Sequence, residues 1–178
     1  MILTSLEGRY ARTLFDFSTY YEENLHILEN TLSFFKKHVG LYRLLSGITL
    51  SKKNRFLLIE SISHALCFSE EIEIFFKLLV ERNRINKIKN IVTLYRDLVD
   101  AAINRHRVTV ESAHPLMAEE KKRLEKELDA YFDCQTIASY VVSPHLLGGF
   151  AVRDKRFYFD VSFKAQLRRL ELTLQGAL

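Results

Sequence analysis

The stretch "DAAINRHRVTVESAHPL" (residues 100–116) holds the change of period that decides the fold. Up to about Arg105 apolar residues recur every three or four positions, the spacing of one helix face. Beyond it Val108 and Val110 alternate with polar neighbours, as in a half-buried strand, and Pro115 then breaks the chain. The reading is a mainly α protein. Residues 1–105 form an N-terminal six-helix bundle, and residues 106–178 form a small α+β C-terminal domain.

Upstream, Leu6, Tyr10, Leu14, Phe17 and Tyr21 step along one helix face, with Ala11, Phe15 and Ser18 as a second stripe beside it. That apolar-to-small surface is wider than one packing seam needs. Leu25, Leu28, Leu32 and Phe35 continue into a second helix, and Gly40 and Gly47 punctuate a short element. Ser51 has the place of an N-cap for a helix carrying Leu58, Ile62 and Leu66. Ser69 caps the next, with Glu70 and Glu71 in the first turn where the helix dipole favours negative charge, and Ile72, Phe75, Phe76 and Leu79 inward. Asn83 or Asn86 opens a last long helix with Ile88, Ile91, Val92, Tyr95, Leu98, Val99 and Ala102.

Downstream, "EEKKRLEKELDAYF" predicts a helix with Leu124, Leu128 and Tyr131 inward. "TIASYVV" is β-rich and stops at Ser143 and Pro144. "GGFAV" and "RFYFDV" are two further apolar runs, joined by a hairpin connection over residues 153–156. Ser162 caps a final helix with Phe163, Leu167, Leu170 and Leu174 on one face.

The bulk numbers narrow the function. The 178 residues are 48% hydrophobic and 27% charged, a globular composition, and only two prolines leave room for long helices. The net charge of +4 is spread among acidic residues, whereas a nucleic-acid binder concentrates its charge. No apolar run approaches the roughly 20 residues of a membrane span. Glu7 and Arg9 interrupt any signal-peptide core at the N-terminus. Cys67 and Cys134 read as reduced core thiols.

The search for chemistry yields little. His26, His38, His64, His106, His114 and His145 have no helical His-x-x-x-His spacing and no cysteine cluster beside them, so no metal site is expected. Gly148-Gly149 is followed by β-rich sequence, not by the helix a phosphate cradle needs, and reads as a bend where backbones approach closely. Asp160-x-Ser162 is half of a catalytic arrangement or, more simply, a helix cap. No cofactor is implied. The surplus apolar helix surface favours an interaction protein. An RNA-binding adaptor using Arg153, Lys155 and Arg156, and a small hydrolase using Asp160 and Ser162, stand as competing readings.

One resemblance gathers these features. "LLGGFAVRDKRFYFDVSFKAQLRRL" resembles the C-terminal signature of the delta subunit of rotary ATP synthases, the oligomycin-sensitivity-conferring protein of mitochondria. Leu146, Leu147, Gly148, Gly149, Asp160, Ser162, Leu167 and Leu170 hold the signature places. "RYARTLFDFS" resembles that family's opening helix through Tyr10, Ala11, Leu14 and Phe15; "FFKLLVERNRINKIKNIVTLYRDLVD" and "VTVESAHPL" resemble its middle segment and its join between domains. Thr13 replaces a small residue of the opening helix, Tyr95 stands where Phe is usual, and residues 153–156 lack the usual turn glycine.

The resemblance implies a non-catalytic stator subunit of the proton-translocating ATP synthase, linking the catalytic head to the peripheral stalk and resisting rotor torque. It implies that the first domain binds the N-terminal helices of alpha subunits through the first and fifth helices, at Tyr10, Ala11, Leu14, Phe15, Phe75, Phe76 and Leu79. The second domain would bind the stalk's b subunits, with Leu147, Gly148, Gly149, Asp160 and Ser162 structural. No nucleic acid is expected as partner. The expected location is peripheral, on the cytoplasmic face of a bacterial inner membrane or the matrix face of a mitochondrial one.

Overall fold

The computed structural model describes residues 5–47, 50–154 and 158–175. Ser5 opens α1 (Leu6–Phe17), its hydroxyl accepting the Gly8 N–H. The backbone turns extended at Ser18, so Tyr21 does not complete the α1 stripe but opens α2 (Tyr21–Lys37). Phe17 is 77% exposed, a second departure from the inward stripe. In α2, Leu25, Leu28 and Phe35 are buried. Gly40 lies inside α3 (Val39–Ser46), which ends at Gly47.

Ser51 caps α4 (Lys52–Leu66) by accepting the Asn54 N–H at 3.3 Å. The inward line of α4 passes through Ile59 and Ile62, while Leu58 and Leu66 are only half-buried. Ser69 caps α5 (Glu70–Glu81), whose Ile72, Phe75, Phe76, Leu79 and Val80 are all closed to solvent. Asn83 takes the left-handed conformation (φ 52°) just after α5, a role asparagine fills readily. A 3-10 turn, Ile85–Lys87, leads into α6 (Ile88–Ala102). Neither Asn83 nor Asn86 therefore caps that helix. Ile88, Ile91, Val92, Tyr95 and Val99 are its buried line, and Ala102 is exposed.

The chain divides into two compact units between Val99 and Asp100, within the last turn of α6. In the second unit Arg107 forks onto both carboxylate oxygens of Asp100. Asn104 (φ 51°) turns the chain into β1 (Arg105–Ser112). α7 (Ala118–Phe132) starts after Pro115, with the Glu120 carboxylate accepting the Met117 N–H at 2.7 Å. β2 (Gln135–Val142) returns parallel to β1, making a β-α-β crossover. β3 (Phe150–Arg153) pairs antiparallel with β1, and β4 (Tyr158–Asp160) antiparallel with β3. The sheet order is β2-β1-β3-β4. The connection between β3 and β4 falls partly outside the described residues.

Alternation puts Val108, Val110 and Val152 on one face of this sheet, where Leu124 and Leu128 of α7 cover them. Tyr131 is 77% exposed instead of inward; its neighbour Phe132 stacks on the His106 ring at 4.4 Å. α8 (Phe163–Gln175) closes the described chain. The protein is thus mainly helical, with a small four-stranded sheet in its C-terminal part. Cys67 is exposed and Cys134 half-buried, so neither is a core thiol, and both are free. Among the described residues no helix is long and apolar enough to cross a membrane.

Candidate functional site: apolar helix faces and a glycine-serine anchor

The seven residues picked from the first and fifth helices divide sharply in the structure. Ala11, Leu14, Phe75, Phe76 and Leu79 are closed to solvent, between 0% and 6% exposed. Tyr10 and Phe15 are half-buried. Tyr10 meets Phe75 edge to face, with centroids 6.4 Å apart, so α1 and α5 share a packed seam. Phe76 turns away, stacking on Phe68 at 5.1 Å and meeting Phe35 at 6.3 Å. Phe15 meets Tyr21 and Tyr95. A helix approaching from outside cannot reach the five buried residues without parting α1 from α5. The apolar surface these two helices leave bare is Phe17, Ile74 (60% exposed) and Leu78, with Ile74 and Leu78 lining a shallow groove beside Phe56 of α4.

α1 is pinned at its opening end as well. The Arg84 guanidinium donates to the Tyr10 hydroxyl at 2.7 Å and lies over its ring. Lys87 pairs with Glu7 at 3.1 Å. Glu7 is held below the usual carboxylate range, first by its backbone hydrogen bond and then by Lys87.

In the second unit the signature residues form one anchor for α8. Leu147 adopts the left-handed conformation (φ 62°) with its side chain 69% exposed. A Cβ on Gly148 would run into the Phe163 ring. Gly149 has φ +78°, and a Cβ there would stand 2.7 Å from the Val161 carbonyl oxygen. The Phe163 N–H donates to the Gly148 carbonyl at 3.0 Å. Asp160 accepts the Ser162 N–H at 2.9 Å and the Tyr158 hydroxyl at 3.2 Å. Hydrogen bonding from Ser162, its side chain foremost, holds the Asp160 carboxyl below its ordinary range. The Ser162 hydroxyl is buried and accepts the Ala165 N–H at 3.2 Å. A hydroxyl so engaged is closed to a substrate, which removes the basis for the hydrolase reading.

Beyond the anchor, α8 shows Phe163, Leu167 and Leu170 on one face, each between 57% and 61% exposed. Phe159 of β4 adds to the exposed apolar surface of this unit. For the RNA reading, Lys155 and Arg156 lie outside the described residues, and Arg153 is engaged by Glu111 at 3.5 Å and by the Tyr158 ring. What the described residues offer a partner is therefore bare apolar helix face.

The family model for the ATP synthase delta (OSCP) subunit matches residues 6–174. The chain belongs to that family. It is 30% identical to the ATP synthase subunit delta of Syntrophus aciditrophicus over 189 residues, covering 100% of each chain. It is 28% identical to that of Myxococcus xanthus over 180 residues, covering 98% of this chain and 99% of the other. A chain in the cryo-EM structure of the Toxoplasma gondii mitochondrial ATP synthase hexamer shares the fold at a TM-score of 0.71 and 15% identity, over 96% of this chain and 98% of that one. This delta-family chain is a non-catalytic stator subunit of the ATP synthase.

Proposed function

We propose that the protein joins the catalytic head of the ATP synthase to the b subunits of its peripheral stalk, gripping each through a bare apolar helix face. The single observation that carries this is α8, an amphipathic helix whose leucine face is open to solvent along the described length. Apolar surface of that extent is ordinarily covered by a partner. The residues up to about 105 act as a six-helix bundle. An N-terminal helix of an alpha subunit lies along α1 and α5, with Tyr10 and Phe15 at its edge. Ala11, Leu14, Phe75, Phe76 and Leu79 form the packed base beneath, and Ile74 and Leu78 are the apolar residues it meets. The b subunits meet α8 at Phe163, Leu167 and Leu170, and Leu147, Gly148, Gly149, Asp160 and Ser162 hold that helix in place. The subunit is peripheral, on the cytoplasmic face of the membrane that carries the complex.

A clamp against torque needs slow dissociation, and buried apolar anchors supply it. Each large side chain removed from water contributes about 1.5–3 kcal/mol, so a few suffice. The test is a mild-detergent pull-down of the complex on tagged chain. Leu167→Asp with Leu170→Asp should lose the b subunits and keep the alpha subunits; Ile74→Asp with Leu78→Asp should do the reverse. Retention of both partners by both variants, with circular dichroism showing the fold intact, would sink the proposal.

A further inference from the structure

We infer that Asn24 and Glu71 are positioning residues: together they form a polar clasp that fixes the spacing of α1 and α5, the pair of helices on which the head is proposed to dock. Asn24 is 2% exposed, deep for an amide. Its Nδ2 donates to Glu71 Oε2 at 2.6 Å and to Ser18 Oγ at 3.2 Å, and its Oδ1 accepts the Ser69 hydroxyl at 2.7 Å. The other Glu71 oxygen accepts the Thr19 N–H at 3.3 Å. Ser18 closes α1 and donates to the Leu14 carbonyl, while accepting from Asn24 and from the Tyr95 hydroxyl at 3.1 Å. Ser69 is the N-cap of α5, and Glu71 lies in its first turn. One amide thus joins the closing end of α1, the first turns of α2 and α5, and, through Ser18, α6.

Two features separate this cluster from ordinary capping. Both atoms of the Asn24 amide group are engaged, so a buried polar residue is retained without an orphaned donor or acceptor. Hydrogen bonds fix distance and angle where apolar contact alone lets helices slide. The opening end of α1 is held by Glu7–Lys87 and Tyr10–Arg84. With the clasp at its closing end, α1 is tied at both ends, and the Tyr10/Phe75 seam between is kept at one width. Tyr95 joins through a hydroxyl that phenylalanine at this position would lack. Its phenol is raised above its ordinary pKa, chiefly by burial, so it stays a donor.

The inference rests on the proposed docking of the head only for what binds; the spacing itself is measured on the free protein. Nitroxide labels at Thr13→Cys and Ile74→Cys, in full-length chain with Cys67→Ser and Cys134→Ser, report the α1–α5 distance by pulsed electron resonance. The unsubstituted clasp should give one narrow distribution. Asn24→Leu and Glu71→Leu should each broaden it, and the double variant should be no worse than the worse single, because one unit is being removed. Thr31→Val, which removes a buried hydroxyl outside the clasp, should leave it unchanged. Where Asn24→Leu fails to fold, Glu71→Ala at the half-buried partner makes the same comparison. In unlabelled chain, affinity for the head should fall about tenfold in the clasp variants and stay level in Thr31→Val. An unchanged distance distribution in folded clasp variants overturns the inference. A broadened one, in a chain whose unsubstituted form never retains the head, supports the clasp and instead overturns the proposed docking of the head on α1 and α5.

Discussion

Tyr140 shows how much of the small sheet's chemistry resides in single side chains. Its hydroxyl lies 2.9 Å from the Glu125 carboxylate and its ring under the Lys121 ammonium, tying β2 to α7. Burial first, and then Glu125, push the phenol from 10.0 up to about 12. The fold holds the protonated phenol, so this contribution is complete below pH 10 and is lost as pH rises through about 12. Urea unfolding of Tyr140→Phe should therefore show a smaller stability loss between those pH values than the parent, with tyrosinate absorbance as the check on ionisation. At neutral pH the same substitution should cost about 1 kcal/mol, the worth of one hydrogen bond. Asp160 runs the other way. Its depressed carboxyl stabilises the fold above the ordinary aspartate range, and that contribution fades as pH falls below about 4. Asp160→Asn should flatten the acid limb of the same titration.

At the scale of elements, the caps of α4, α5 and α8 were legible, whereas the Ser5 cap of α1 and the uncapped starts were not. Ser51, Ser69 and Ser162 each accept a backbone N–H three residues on, as their places in the sequence predict. The start of α6 misled because Asn83 serves the end of α5, and the intervening turn is 3-10. Tyr131 and Phe132 are adjacent apolar residues at a helix end, where periodicity alone cannot say which turns in. Five of the seven docking residues that the family resemblance implies are buried, for a physical reason. A repeat of three and four marks what a helix buries within its own unit, and Ala11, Leu14, Phe75 and Leu79 fall on it. Ile74 and Leu78 stand off that stripe, and an apolar residue out of phase is the sequence signal that was available. The anchor of α8 gives the test at this scale. Ser162→Ala should destabilise the C-terminal unit by about 1 kcal/mol, and Gly149→Ala by about 1–2 kcal/mol from the left-handed backbone alone. Denaturant melts followed by hydrogen exchange at α8 amides would show both, and equal protection in all three proteins would contradict the anchor.

For the molecule as a whole, the decisive property of a stator link is that its two grips act in series. Breaking either should have the same outcome, whatever the other is worth. Membranes carrying Ile74→Asp with Leu78→Asp, or Leu167→Asp with Leu170→Asp, should hydrolyse ATP while pumping of protons, read by a pH-sensitive dye, falls together in both. Combining the four substitutions should add nothing further. Pumping retained in either pair would show that its helix face carries no load. The change of period near Arg105 made the two kinds of architecture legible, because 3.6 and 2 are distinct signals. The parallel return of β2 was not legible, since nothing local in "TIASYVV" states which strand it will join or in what direction.

That parallel pairing also bears on how the chain reaches its native state during translation. Arg105 must wait for Gln135, and Thr109 for Arg153, before β1 is flanked on both sides. α1 waits in the same way, since its partners Phe75, Arg84 and Lys87 come far later in the chain, and such distant pairing is slow. Emerging from the ribosome, the α-rich part has time to consolidate while β1 still lacks companions. Late in synthesis, then, the unpaired edges of β1 are the part of the chain open to aggregation.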